Sequence, residues 1–135
     1  MILDNISQSE ITKEKFTQII SRICRRDTSA DPEHWVETNP LWGCCAVVSL
    51  LAQDQFGGSL VRQSLKDVPG LEYLRSHYIN KLPDEVEIDF TIEQFQGRLP
   101  ALLPVEERTR EHVLSYPDTA KRYELLKSRF YSFLK

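Results

Sequence analysis

The sequence predicts an α+β domain. A central helix with cysteines at its start packs on a small antiparallel sheet, and N- and C-terminal helices flank it. Three observations carry this reading. Phe16, Ile19, Ile20 and Ile23 recur at i, i+3, i+4 and i+7, the mark of a helix with one face to bury. The stretch "GCCAVVSLLAQDQF" from Gly43 is apolar on most sides until Gln53, which suits an enclosed helix rather than a surface one. "LRSHYINKL" and "VEIDFT" alternate around "PDE", as the two strands of a hairpin do. Helices, then strands, then helices define the α+β class.

The elements follow in order. "SQSE", Ser7 to Glu10, matches a capping box, with Ile6 and Ile11 placed as a hydrophobic staple and Thr12 as an alternative cap. "RRDTSADPEHWVETNPLW" has few periodic signals and reads as a loop of about fifteen residues, a length that in compact domains tends to be functional. Its Trp35 and Trp42 plug a core edge more readily than they line a substrate site. Gly43 opens the central helix, and "FGG" ends it with glycine available for the left-handed position. "GSLVRQSL" is a short strand, "TIEQF" a turn of helix and "GRLPALLP" a proline-punctuated connector. "EERTREHVL" reads as helical. "PDTAKRYELLKSRFYSFL" is a helix with proline in its first turn and a buried stripe of Ala120, Tyr123, Leu126, Phe130 and Phe133.

Composition narrows the function. The 135 residues fit one domain, 1–135, and 41% hydrophobic with 27% charged residues is the balance of a soluble globular chain. A net charge of −3 gives no attraction to nucleic acid or to anionic lipid. Arg22, Arg25, Arg26 and the basic residues of "KRYELLKSRF" stand among acids at helical spacing and read as solvated faces. No apolar run approaches about 18 residues, so no membrane span is expected. The opening "MILDNISQSE" has no basic leader and is not expected to be a signal peptide. Three cysteines, Cys24, Cys44 and Cys45, make a poor disulfide framework. A reducing compartment, the cytoplasm, fits them best. With no CxxC pair and with His34, His77 and His112 scattered, no metal site is expected.

The hairpin is a geometric test. A two-residue loop, Asp84-Glu85, would put His77 and Asp89 on opposite faces of the sheet. A three-residue loop, Pro83 to Glu85, pairs Leu82 with Val86, Asn80 with Ile88 and Tyr78 with Phe90. That register gathers Leu82, Val86, Ile88, Tyr78 and Phe90 on one apolar face and sets Lys81 opposite Glu87. His77 then lies diagonal to Asp89, within cross-strand reach. The apolar matching favours the longer loop. A histidine beside an aspartate is by itself often just a polar surface pair, but the cysteine helix changes the reading. A thiol in a helix's first turn meets the positive end of the dipole and unsatisfied N–H groups, and both favour thiolate. Thiolate, imidazole and carboxylate together form a Cys-His-Asp constellation.

"GCCAVVSLLAQDQFGG", "SHYINKLPDEVEIDFTIEQF" and "ERTREHVLSYPDTAKRYELLKSRF" together resemble the small bacterial YunG-like proteins. There a G-Q-C-A-type helix start precedes a histidine strand and a strand reading roughly E-I-D-L-T. The resemblance covers about Asp27 to Phe130. Its motifs look like a compact version of papain-like and transglutaminase-like cysteine enzymes, where the nucleophile starts a helix packed on an antiparallel sheet. Carried over, the resemblance makes Cys45 the nucleophile, His77 the general base and Asp89 its orienter, with Asn80 a second candidate orienter. Cys44 stands where the family commonly has glutamine, a departure. If that glutamine holds an oxyanion, this chain must use backbone N–H groups, such as that of Cys45. Gly43 allows close backbone approach beside the thiol, or is simply a helix-start glycine. Only one of two adjacent helical cysteines can face the sheet and His77. Cys24 reads as core packing.

The expected function is therefore a cysteine hydrolase or acyltransferase acting on a peptide, amide or ester through a thioester, without metal or organic cofactor. The substrate is expected between the Trp35 to Trp42 loop and the hairpin, near Trp42, Gly43, Cys44 and Asn80. The competing readings are a binding module that keeps the fold with its cysteines in the core, and a thiol redox sensor. The sensor would need a resolving cysteine, a role for which adjacent Cys44 is strained.

Overall fold

The computed structural model describes residues 11–135. Helix α1, Lys13–Ile23, starts at Thr12, whose hydroxyl oxygen accepts from the Lys15 N–H at 3.0 Å. Thr12 is therefore the cap, and the Ser7 to Glu10 box lies outside the described residues. Phe16, Ile19, Ile20 and Ile23 are all buried, as their spacing predicts. The segment after α1 carries two 3-10 turns, Arg26–Thr28 and Pro32–His34, and an isolated bridge between Val36 and Asn39. Trp35 and Trp42 turn inward and join Leu65, Val68, Leu71 and Phe95 in a small second core.

Helix α2, Cys45–Phe56, buries Val47, Val48, Leu50, Leu51 and Ala52. Gly57 and Gly58 both have positive φ, and the chain turns at once into strand β1, Ser59–Ser64. A Cβ on Gly58 would stand 2.1 Å from the Lys81 carbonyl oxygen, so only glycine fits this crossing. Strand β2 is Ser76–Lys81 and β3 is Glu87–Ile88. The Pro83 to Glu85 loop gives the register with Asn80 opposite Ile88 and Lys81 opposite Glu87, and the Leu82 N–H donates to the Val86 carbonyl at 2.9 Å. Val86 departs from the expected apolar face: it is 52% exposed beside the loop.

The stretch "EERTREHVL" also departs from expectation. Val105–Arg108 is strand β4, and only Arg110–Leu114 is helical, as α3, capped by Thr109. Strand β4 pairs antiparallel with the edge of β1 that the hairpin leaves open, Leu60 against Arg108 and Gln63 against Val105. Closing a row of open N–H and C=O groups outweighs helix preferences of a few tenths of a kcal/mol per residue. The sheet order is β3-β2-β1-β4, and every pair is antiparallel. Helix α4, Pro117–Leu134, packs on α2 opposite the sheet. Tyr123, Leu126 and Phe130 form its buried stripe, which ends before Phe133, 43% exposed in the last turn.

An α+β domain of four helices and a four-stranded antiparallel sheet results among the described residues. Its main core is held by Phe16, whose ring meets Phe56, Phe90 and Phe130 at centroid distances of 5.4, 5.0 and 5.7 Å. Phe16 is fully buried, so Phe16→Ala leaves a cavity and removes three aromatic contacts. The expected loss is about 3–5 kcal/mol, read as a lower urea midpoint with little change in slope. An unchanged midpoint would show that α1 contributes little to the core.

Candidate active site

The two adjacent cysteines are separated by the start of α2. Cys44 is the N-cap and fully buried. Its sulfur lies 3.4 Å from Thr28 Oγ1 and 3.8 Å from the carbonyl oxygens of Pro40 and Trp42. It also meets Cys24; that contact and burial together push the Cys24 thiol well above its ordinary range. Cys45, the first residue of α2, is partly exposed and lines a cleft of about 500 Å³. Helical geometry turns the two side chains about 100° apart, and here the core takes Cys44. Gly43 precedes them at φ +75°, where a Cβ would stand 2.2 Å from Ser29 Oγ.

His77 sits on β2 with its ring fully buried, edge-on to Phe95 at 4.8 Å. Its Nε2 is 2.6 Å from Asp89 Oδ2, so the hairpin register places the pair as its parity requires. Nδ1 of His77 makes no hydrogen bond, which leaves it as the ring nitrogen able to exchange a proton. Burial alone would lower the imidazole's proton affinity. Asp89 and the neighbouring Cys45 thiol outweigh that effect and raise the pKa from 6.5 to about 9. Cys45 thus acts on the ring electrostatically, although no hydrogen bond joins its thiol to Nδ1.

Asp89 is itself held. Its Oδ1 accepts from the Thr91 N–H at 3.1 Å and from the Thr91 hydroxyl at 3.4 Å. The Thr91 hydroxyl oxygen accepts from Gln94 Nε2 at 2.8 Å, and Gln94 Oε1 accepts from the Gly43 N–H at 2.9 Å. Asn39 Nδ2 donates to the Gln94 carbonyl at 2.9 Å. One buried polar chain therefore links the peptide before the cysteines to the carboxylate on His77. Gln94 went unmarked in the sequence because it lies in a single helical turn, where one glutamine carries no periodic or motif signal.

The remaining sequence candidates separate. Gly43 lines the Cys45 cleft; Trp42, Cys44 and Asn80 do not. The Trp42 indole donates to Asp31 Oδ2 at 2.9 Å and packs against Phe95. Asn80 points from the face opposite His77 and donates to the Ser49 carbonyl at 3.0 Å. The open space beside Cys45 is also not between the tryptophan loop and the hairpin, because both tryptophans turn into the second core. It lies instead between Ala30 and Gly43 on one side and Arg62, Tyr78, His112 and Arg122 on the other. A larger hollow of about 800 Å³ beside Arg22, Arg26 and Trp35 contains neither Cys45 nor His77. Among the described residues, no group of three or more His, Cys, Asp or Glu side chains could hold a metal. No described helix is long and apolar enough to cross a membrane.

Fold and site together define an α+β protein with a thiol at a helix start beside a buried histidine-aspartate pair. The chain belongs to the YunG family: the family model described as "YunG protein" matches residues 12–135. No curated protein and no solved structure matches it, so the likeness to papain-like and transglutaminase-like enzymes finds no support in these comparisons.

The raised His77 pKa has a consequence for folding. A histidine whose folded value exceeds its unfolded value stabilises the fold fully below the unfolded pKa, and that stability is lost as pH rises through the folded value. A rise from 6.5 to about 9 corresponds to about 3 kcal/mol. Urea midpoints should therefore fall between about pH 6 and about pH 10, and the fall should be smaller in Asp89→Asn. Parallel profiles for the two proteins would show that Asp89 does not hold the proton on His77.

Proposed function

We propose that this protein is a cysteine hydrolase or acyltransferase acting on an amide or ester through Cys45, His77 and Asp89. The observation that supports it most is the buried His77–Asp89 hydrogen bond at 2.6 Å, with Nδ1 left over and the Cys45 thiol beside the ring. Asp89 holds the tautomer and stabilises the imidazolium. Cys45 Sγ passes its proton to His77 and attacks the carbonyl carbon, forming a C–S bond. The C–N or C–O bond then breaks as His77 protonates the departing amine or alcohol, leaving a thioester. Water or an amine gives a proton to His77, adds to the thioester carbon and releases the sulfur, which closes the cycle. Cys45 is the first residue of a twelve-residue helix, so its backbone N–H has no intrahelical partner and can face a developing oxyanion. The arrangement is read as a compact papain-like or transglutaminase-like one, since the thiol starts a helix packed on an antiparallel sheet. A reducing compartment such as the cytoplasm is part of the proposal, because all three cysteines are free thiols.

Alkylation read at each cysteine by mass spectrometry tests this reading. Cys45 should react fast near neutral pH, while buried Cys24 and Cys44 react only in denaturant. His77→Ala should slow Cys45 by at least about tenfold, and Asp89→Asn should slow it less. A Cys45 that stays inert until the chain unfolds would replace the enzyme with a binding module whose cysteines are core residues.

A further inference from the structure

The cleft beside Cys45 is lined by Arg62, Arg75, Arg108 and Arg122, and no carboxylate side chain lines it. Glu106 binds Arg108 at 2.7 Å, stands opposite Arg62 in the β1–β4 register and is itself 61% exposed. Among the described residues, Arg62, Arg75 and Arg122 form no ion pair. Arg122 is the informative one. It is half-buried, its Nη2 donates only to Thr119 Oγ1 at 3.2 Å, and Asp118 lies near it without pairing. Burial lowers its proton affinity by more than nearby Asp118 raises it, so the guanidinium is held partly out of water with no carboxylate bonded to it. Such a charge is costly to keep unless something else uses it. The chain as a whole is acidic, with a net charge of −3, so this basic lining is a local arrangement and not a general surplus.

We infer that the substrate of Cys45 carries an anionic group, a carboxylate or a phosphate, which the cleft arginines bind beside the reacting carbonyl. Arg122 and Arg62 are the residues that select it. A planar guanidinium fork matches either oxyanion in bidentate fashion, and the start of α2 adds positive potential at the same mouth. Neutral amides of the same shape would be poor substrates, because they leave the arginines desolvated and unpaired. This inference rests on the nucleophile reading of Cys45.

Two alkylating reagents of nearly equal size separate the claims: iodoacetate, which carries a carboxylate, and neutral iodoacetamide. With each, Cys45 sulfur displaces iodide and forms one C–S bond. The iodoacetate to iodoacetamide rate ratio at Cys45 should exceed that of glutathione by about tenfold or more at low salt. The excess should shrink in Arg122→Gln and, separately, in Arg62→Gln, and should fade as salt is raised. Protection of Cys45 by succinate points to a carboxylate substrate, and protection by inorganic phosphate to a phosphorylated one. Fast iodoacetamide labelling with a glutathione-like ratio would overturn the anion site alone. Inertness to both reagents would overturn the nucleophile reading and this inference with it.

Discussion

The structure depends on enclosing the helix Cys45–Phe56. Its apolar side chains point in nearly every direction, and a helix of that kind is stable only when covered all round. The sheet covers one side and the C-terminal helix the other, while the first helix closes the remaining gap through Phe16. The covering elements are individually modest. Strand β3 has two residues, α3 has five, and β4 exposes three of its four side chains. Each is kept because it completes the enclosure or closes a hydrogen-bonding edge.

The same enclosure creates the site. The central helix emerges from the core at both ends, and at its start Cys45 is partly exposed while Cys44, one residue earlier, stays fully buried. His77 is enclosed with it, and a buried imidazole requires partners. Asp89 supplies one, and Thr91 and Gln94 extend the chain of hydrogen bonds back to Gly43. In a low-dielectric interior such a chain is strong when complete and costly when broken. It therefore fixes the distance between the loop that delivers the thiol and the strand that delivers the imidazole. Side chains are positioned more precisely by surroundings of this kind than by loops alone.

The electrostatics run against the composition. An acidic chain concentrates arginines from β1, β4, the turn before β2 and helix α4 around one opening. Three of these carry no ion pair, whereas Arg129 and Arg110 elsewhere are tied to Asp27 and Asp54. What sets the opening apart is that four arginines line it and no carboxylate side chain does.

Local physics made much of this legible in the sequence. The stripe of Phe16, Ile19, Ile20 and Ile23, the all-round apolar run after Cys45 and the parity of the Pro83 to Glu85 hairpin each follow from a repeat of 3.6 or 2 residues. Those repeats place His77 beside Asp89 without any tertiary information. What local pattern cannot carry is pairing between distant segments. "EERTREHVL" reads as helix until β1 offers it an open edge. Arg62, Arg108 and Arg122 acquire meaning only when three separate segments meet at one opening, and Gln94 only when its turn meets the Gly43 peptide. By itself, then, the sequence determined the enclosed helix, the hairpin register and the histidine-aspartate pair, because short-range periodicity dictates them. Only the tertiary structure decided which cysteine faces the cleft, that the tryptophans close a second core, and that the opening is lined with arginine. Those outcomes depend on how the remaining elements cover the central helix, and that is a property of the assembled chain.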